Sequence, residues 1–104
     1  MSDCIFCRII NKEIPATVLY EDDICLIFPD INPKAKNHWL TIPKKHIPTI
    51  IDLEPGDEKL IGHMFEKSRD LAVSKGLKGY KLQFNVGKDG GQEVMHVHMH
   101  LLAN

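Results

Sequence analysis

The sequence predicts an α+β domain in which a five-stranded antiparallel sheet packs against one long helix, with a short helix at the N-terminus. Three observations favour this fold. Short β-prone segments follow one another with turn residues between them, which is typical of hairpin connections. Residues 58–75 carry apolar side chains at helical spacing. The 104 residues suit a single domain spanning 1–104, since neither a repeat nor a linker divides them.

The first half of the chain is expected to contain the short helix and three strands. Asp3 can accept a hydrogen bond from the first turn and cap a helix over residues 4–11. An acidic turn joins the first two strands into a hairpin, and an Asn-Pro pair favours a loop before the third strand. These three strands are predicted at residues 17–20, 24–28 and 38–42.

The second half should contain the long helix, two further strands and a glycine-rich loop. The helix spans 58–75, and Gly76 is a suitable residue to end it. The remaining strands are predicted at 80–86 and 95–102, with the loop at 87–92 between them. The apolar face of the helix comprises Leu60, Ile61, Met64, Phe65, Leu71 and Ala72.

The most informative run is the alternation of His96, His98 and His100 with apolar residues. A β-strand points successive side chains to opposite faces, so three imidazoles should line one face. Neighbouring imidazoles would then lie about 6.6 Å apart and the outer pair about 13 Å apart. One small anion or metal ion could touch two of them but hardly all three. A solvated polar face and a metal chelated by two histidines are the competing interpretations.

The loop before this strand contains Gly87, Gly90 and Gly91. Glycines let the backbone approach a ligand closely, and consecutive N–H groups in such a loop can bind an anion. Asp-Gly-Gly is also an ordinary hairpin turn. Because three histidines follow it, this loop is a candidate phosphate-binding segment.

A second constellation is the pair Cys4 and Cys7, whose thiols a helical turn brings together. His46 follows the third predicted strand and could supply a third zinc ligand, with His96 as the fourth. This would explain why three histidines share a face when phosphate chemistry can use only two. The alternatives are two small buried hydrophobes or a redox pair, although the βαβ unit typical of a redox motif is absent from the predicted elements.

Composition argues against several classes of protein. The net charge of −1 argues against nonspecific nucleic-acid binding, which leaves a basic footprint. The sequence has no apolar run approaching the roughly 20 residues of a membrane span. The N-terminus has an acid before its apolar run and no basic leader, and three cysteines fit a reducing compartment. We therefore expect a cytoplasmic protein that binds neither nucleic acid nor membranes.

The histidine run has the pattern His-φ-His-φ-His-φ-φ, with φ apolar, at residues 96–102. With this pattern the chain resembles the histidine-triad superfamily, in its histidine-triad nucleotide-binding branch. The resemblance covers nearly the whole chain, and the order and spacing of its fragments make it specific. The other matching fragments are FCRII at 6–10, EIPA at 13–16, YEDD at 20–23, DINP at 30–33, PKKH at 43–46, Asn85, and GGQ at 90–92.

The resemblance implies a homodimer with a purine nucleotide site that hydrolyses phosphoramidates or aminoacyl-adenylates at the α-phosphate. It implies that His98 is the nucleophile and forms a nucleotidyl-histidine that water resolves. His100 would contact the phosphate oxygens, and His38 would orient the triad. The resemblance also assigns Asp30 to the ribose, Phe28 and Ile31 to the base, Asn85, Gly91 and Gln92 to the phosphate, and Cys4, Cys7, His46 and His96 to zinc.

The chain departs from the family pattern at two places. Glu93 stands where close relatives often have a small hydroxyl residue, and a carboxylate that faces a phosphate would repel it, so Glu93 is not assigned to the phosphate. The sequence ends at Asn104, where relatives commonly continue into a Trp-Pro-rich tail near the partner's active site. The resemblance therefore assigns neither a leaving-group preference nor a catalytic efficiency to this chain.

The reaction is expected to need no metal, because the sequence has neither a Walker motif nor a carboxylate cluster for Mg²⁺. Zinc would then be structural. A neutral His98 must supply the lone pair, while His100, the loop amides and His96 provide positive character around the phosphate oxygens. The alternative is a nucleotide-binding sensor or adaptor with little catalysis. A metalloenzyme with its ion on His98 and His100 is a further rival.

Overall fold

A computed structural model describes residues 3–104 and contains one five-stranded antiparallel sheet, as the sequence predicts. The strand order is β1-β2-β3-β5-β4, so the last strand lies between the third and the fourth. The strands are β1 (Tyr20–Glu21), β2 (Cys25–Pro29), β3 (Asn37–Pro43), β4 (Lys81–Phe84) and β5 (Met99–Ala103).

In the part of the chain that the structure describes, two α-helices accompany the sheet: α1 (Ile5–Ile10) and α2 (Asp57–Ser74). The expected cap at Asp3 is wrong, because the helix begins one residue later. Cys4 is the cap, and its Sγ accepts a hydrogen bond from the Cys7 amide at 3.4 Å. Gly76 follows α2 with a φ of 74°, a conformation that glycine adopts readily, and this matches its predicted place.

The last strand begins later than predicted, at Met99 rather than at residue 95. The cause is a non-local contact. The Val97 amide donates a hydrogen bond to the carbonyl of Ile47 at 2.7 Å, and Ile47 lies outside the sheet. Pairing with β3 and β4 therefore starts only at Met99. His96 and His98 lie before the strand, whereas His100 lies within it.

The boundaries of two other strands also differ from the prediction. β1 is shorter and lies later than the expected 17–20, and β4 ends at Phe84 instead of residue 86. Asp22, in the turn after β1, caps that turn: its Oδ1 accepts hydrogen bonds from the amides of Ile24 and Cys25. Short polar side chains that bind their own backbone in this way set where a hairpin turns.

Each face of the sheet contacts a helix. On one face α2 packs over alternate strand residues, and Met64 and Ala72 are fully buried there against Met99, Leu101 and their neighbours. A buried hydrogen bond of 2.7 Å between Thr41 and Ser68 joins α2 to β3. On the other face α1 contributes Phe6 to a second apolar cluster. His38, His98 and His100 lie on this α1 side. Across residues 3–104, no helix is both long and apolar enough to cross a membrane.

Candidate active site and metal centre

His98 is held in one tautomer by the backbone. Its Nδ1 lies 2.8 Å from the carbonyl oxygen of His96, and the side chain is buried. A carbonyl oxygen can only accept a hydrogen bond, so Nδ1 carries the proton in the neutral ring. Nε2 is left with its lone pair, as a nucleophile requires.

His100 lies beside His98 and is bound to a third histidine. The His98 and His100 ring centroids are 5.1 Å apart, and His100 Nδ1 lies 2.8 Å from His38 Nε2. The Lys34 amide donates to the other nitrogen of His38, Nδ1, at 3.0 Å. The structure therefore brings together three of the four histidines that sequence reasoning assigns to the reaction. We refer to them as the His38–His98–His100 group. The fourth, His96, directs Nε2 to the Pro43 carbonyl and Nδ1 to the cysteines, so neither nitrogen faces this group.

Asp30 lies at the edge of this group, in the loop between β2 and β3. Its Oδ1 accepts a hydrogen bond from the Asn32 amide at 2.8 Å, and its Oδ2 lies 3.5 Å from His38 Nε2. Polar atoms of Asp30, His38 and His100 all lie within 4.8 Å of one another. The acid expected at the ribose is thus next to the histidines expected at the phosphate.

The environment keeps His100 neutral. Burial of the ring lowers its pKa, and the neighbouring His98 and His38 lower it further. The carboxylates of Asp30 and Glu93 act in the opposite direction without reversing the shift. Glu93 itself is exposed and lines an open groove of about 510 Å³ with Cys4 and His46.

The glycine loop is organised by two amide side chains. Asn85 Nδ2 donates to the carbonyl of Gly90 at 2.9 Å, and Gln92 Oε1 accepts from the Gly87 amide at 2.9 Å. Gln92 Nε2 donates to two further carbonyls, and its side chain is buried. Gly91 has a φ of 85°, and a Cβ there would lie 3.4 Å from Asn85 Nδ2. Asn85 and Gln92 therefore shape the loop, and glycine suits its backbone at position 91.

The residues expected at the base differ in exposure. Phe28 is buried, whereas Ile31 is 91% exposed. Phe6 is a residue that sequence reasoning missed as part of the site. Its ring packs edge-on against Phe28, with centroids 5.6 Å apart, and against His98 at 5.2 Å. The sequence offered one indication of this role: Phe6 lies between Cys4 and Cys7, on the same helical turn as the two cysteines.

Four predicted zinc ligands lie together. The ligand atoms of Cys4, Cys7, His46 and His96 are all within 4.8 Å of one another, and we refer to these residues as the cysteine–histidine cluster. His96 Nδ1 lies 3.3 Å from Cys4 Sγ, 3.5 Å from Cys7 Sγ and 3.1 Å from His46 Nδ1. Cys7 Sγ lies 3.2 Å from His46 Nδ1. Tetrahedral zinc on such ligands places them about 3.3–3.8 Å apart.

The protonation of His96 agrees with that fit. Its Nε2 donates to the carbonyl of Pro43 at 2.8 Å, so Nδ1 faces the cluster with a lone pair. Burial lowers the pKa of His96 to about 4, and the nearby His46 and His98 add to the effect, although the Pro43 carbonyl opposes it. Two sulfur and two nitrogen atoms that face one another in this way suit a cation at their centre.

A separate polar cluster joins α2 to the first hairpin. Asp22 Oδ2 accepts hydrogen bonds from His63 Nε2 at 2.6 Å and from the Tyr20 hydroxyl at 2.7 Å. Burial opposes ionisation of Asp22, but the hydrogen bonds from the Cys25 amide, Tyr20, His63 and the Ile24 amide hold its pKa well below the usual range. The hydrogen bond that the Tyr20 hydroxyl donates to Asp22 raises the pKa of Tyr20 to about 12. His63 of α2 therefore has a structural partner in the first hairpin.

Known proteins identify the family. The family model described as the C-terminal binding region of the scavenger mRNA decapping enzyme matches residues 3–104. Protein HitA of Neisseria gonorrhoeae is 46% identical over 99% of this chain and 97% of its own. A HIT family hydrolase from Legionella pneumophila has a TM-score of 0.95 and 49% identity, covering 98% of this chain and 93% of that one. A histidine triad protein from Clostridium difficile has a TM-score of 0.96 and 44% identity, covering 100% and 92%. The chain belongs to the histidine-triad (HIT) superfamily, and its fold is that of the HIT family hydrolases.

Proposed function

We propose that the protein hydrolyses purine nucleoside phosphoramidates or related nucleotidyl compounds at the α-phosphate, with His98 as the nucleophile. The observation that carries the proposal is the orientation of His98. Its Nδ1–H is bound to the His96 carbonyl at 2.8 Å, which leaves the lone pair on Nε2. The HIT family hydrolase from Legionella pneumophila, with the same fold, supports a hydrolytic reaction.

The proposed reaction has two displacements at phosphorus. His98 Nε2 forms a bond to the α-phosphorus while the phosphorus–nitrogen bond of the substrate breaks, and the leaving nitrogen takes one proton from solvent and departs as a neutral amine. A water molecule then attacks the nucleotidyl-histidine. The electron pair returns to Nε2, and the nucleoside monophosphate leaves with one proton released to solvent. Dividing one difficult displacement into two easier ones is the advantage of a covalent intermediate.

The remaining groups bind and orient the nucleotide. His100 and the amides of the glycine loop would face the charge that develops on the phosphate oxygens. Asp30 would bind the ribose hydroxyls through the oxygen that is not held by the Asn32 amide. Phe28 and Ile31 would contact the base, and the exposed Ile31 is available to a ligand.

The cysteine–histidine cluster would hold a structural zinc ion. The ion would join α1, which carries Cys7, to the segments that carry His46 and His96. When bound it would supply cross-linking, since all four positions of a tetrahedral site are taken by protein ligands. The protein's own residues would carry out the reaction steps at His98.

A second copy of this chain is the proposed partner. Within residues 3–104, β4 is an edge strand that pairs with β5 alone, and its outer backbone groups can pair with another strand. Beside it, Phe65 of α2 lies 6.0 Å from Phe84 of β4, centroid to centroid, and is 41% exposed. Val73, also on α2, is 70% exposed. Light scattering should give a dimer mass for the wild type and a monomer mass for Val73→Asp. A monomeric wild type would remove this part of the proposal.

Incubation with a panel of nucleoside phosphoramidates, followed by mass spectrometry of the intact protein, tests the reaction. We expect release of the nucleoside monophosphate and a nucleotidyl adduct that maps to His98. Tight binding of the nucleotide without turnover or adduct would instead support the sensor or adaptor alternative. Turnover with the adduct on another residue would contradict the assignment of His98.

A further inference from the structure

We propose that the loop between β2 and β3 sets the proton positions on His38 and His100, with the Lys34 main-chain amide and the Asp30 carboxylate as its two positioning groups. The loop is closed by a main-chain hydrogen bond from Asp30 N to the His38 carbonyl at 2.9 Å. It thus brings an N–H group and a carboxylate to opposite nitrogens of one imidazole ring. The expected effects on turnover rest on the proposed reaction at His98.

The Lys34 amide fixes the tautomer of His38. A backbone amide can only donate, and the Lys34 amide lies 3.0 Å from His38 Nδ1. Nδ1 must therefore carry the lone pair of the neutral ring. The single ring proton of His38 is left on Nε2, the nitrogen that faces His100.

The tautomer of His38 in turn determines that of His100. His38 Nε2 lies 2.8 Å from His100 Nδ1, so His38 donates and His100 accepts. The proton of His100 must then be on Nε2, where the ring can donate a hydrogen bond to a phosphate oxygen. His98 has the reverse arrangement, with its proton on Nδ1. Two residues apart, one imidazole is arranged to attack and the other to donate.

Asp30 competes with His100 for the proton of His38. Its Oδ2 lies 3.5 Å from the same His38 Nε2 that serves His100, whereas its Oδ1 is held by the Asn32 amide. One N–H group cannot form a strong hydrogen bond to both acceptors, so the carboxylate competes with His100. Ribose hydroxyls that donate to Oδ2 would remove the competitor and leave the His38 proton to His100. Sugar binding would then affect the chemical step as well as the affinity.

The proton positions can be measured without any substrate. Nitrogen-15 NMR of the imidazole rings in the intact protein, with metal as purified, should show protonated Nε2 and bare Nδ1 for both His38 and His100. His98 should show the opposite pattern. A His100 ring protonated on Nδ1 would overturn the proposal. Because no turnover is involved, this failure is distinct from failure of the proposed reaction.

A pair of variants at position 34 isolates the main-chain amide. Lys34→Pro removes the N–H group, whereas Lys34→Ala keeps it and should retain the wild-type NMR pattern of the rings. We expect kcat of Lys34→Pro to be about 10- to 100-fold below that of Lys34→Ala, with a smaller change in KM, because a donor to the phosphate is lost. Equal kcat values for folded Lys34→Pro and Lys34→Ala would overturn the proposal.

A pair of substrates isolates Asp30 and needs no change in the loop backbone. For the wild type, a 2′,3′-dideoxynucleoside phosphoramidate should show a kcat about tenfold lower than that of its ribose counterpart, besides a higher KM. In Asp30→Ala the two substrates should have the same kcat. A wild-type difference confined to KM would overturn the coupling. Formation of the His98 adduct with either substrate tests the proposed reaction separately.

Discussion

The cysteine–histidine cluster and the His38–His98–His100 group are built from the same ring chemistry but arranged in opposite ways. In the cluster, His96 Nδ1 turns its lone pair toward two sulfur atoms and another ring nitrogen. In the other group, each short ring contact pairs an N–H donor with an acceptor. Lone pairs that face one another suit a cation, whereas alternating donors and acceptors suit proton and phosphate chemistry. In each histidine, the hydrogen-bond partner of one ring nitrogen decides whether the other nitrogen offers a lone pair or a proton.

The two sites are adjacent as well as contrasting. The carbonyl of His96, a cluster residue, is the acceptor that fixes the tautomer of His98. The Phe6 ring touches His98 at 5.2 Å and His96 at 5.8 Å, centroid to centroid. The following changes separate the two sites or test how strongly they are coupled.

His98→Ala should have the largest effect and should be confined to the reaction. Without a nucleophile, turnover of a nucleoside phosphoramidate should fall by about four orders of magnitude or more. Metal content and melting temperature should stay close to those of the wild type, because the cluster keeps its ligands. His63→Ala is the control, since His63 binds Asp22 outside both sites, and it should keep its turnover. Substantial activity in His98→Ala would contradict the proposed nucleophile.

Cys7→Ser should break the other site. The wild type is expected to hold about one zinc ion per chain, and the variant should lose it together with several degrees of melting temperature. Turnover should fall far less than in His98→Ala. Cys25→Ala is the matched control, because Cys25 is buried in the core away from the cluster and its loss should leave the metal in place. Equal metal content in wild type and Cys7→Ser, by elemental analysis, would remove the metal assignment.

Acid should affect the His38–His98–His100 group through His100, whose pKa is lowered mainly by burial. Between its folded pKa and the ordinary value of about 6.5, the unfolded chain binds a proton that the folded protein excludes. Stability from this ring is therefore complete above about pH 6.5 and decreases as the pH falls below it. The acid limb of kcat should likewise lie below pH 6.5, where the ring finally protonates.

Urea denaturation and kcat, both measured from pH 7.5 to 5, check this prediction. His100→Asn is the comparison, because it removes the titrating ring and should make the loss of stability with acid shallower. An identical pH dependence of stability in the two proteins would show that His100 does not contribute.

Phe6→Leu should have the smallest effect and should reach both sites. Loss of the edge-on ring contacts and of some buried volume should reduce the free energy of unfolding by about 1–2 kcal/mol. Because the ring touches His98, kcat should also fall, by less than about tenfold. Ile42→Val, in the same apolar cluster, should cost about 1 kcal/mol without lowering kcat. Equal kcat values in these two variants would show that Phe6 acts only as core.

Local patterns in the sequence predicted the fold class, and together with the family resemblance they named residues that the structure brings close together in the two candidate sites. The alternation of the histidine run placed Val97, Met99 and Leu101 on the face opposite the imidazoles, and these three residues are buried under α2. The start of β5 could not be read in the same way. It depends on the contact between Val97 and Ile47, 50 residues apart, and no local pattern encodes a pairing over that distance.

Proton positions and packing partners were also beyond local reasoning. The tautomer of His98 depends on one carbonyl oxygen, and that of His38 on the course of the loop at Lys34. Phe6 belongs to the FCRII fragment at 6–10, but its contacts with two imidazoles arise only when α1 packs on the sheet. The contact between Asp22 and His63 likewise joins residues that lie 41 positions apart.

The Asp22 carboxylate also affects how the domain opens. Asp22 accepts hydrogen bonds from two turn amides, from Tyr20 of β1 and from His63 of α2. The first hairpin cannot separate from the helix without leaving a carboxylate with lost partners, which is unfavourable. The hairpin and the middle of α2 should therefore behave as one cooperative unit in native-state hydrogen exchange, with their amides becoming exposed together.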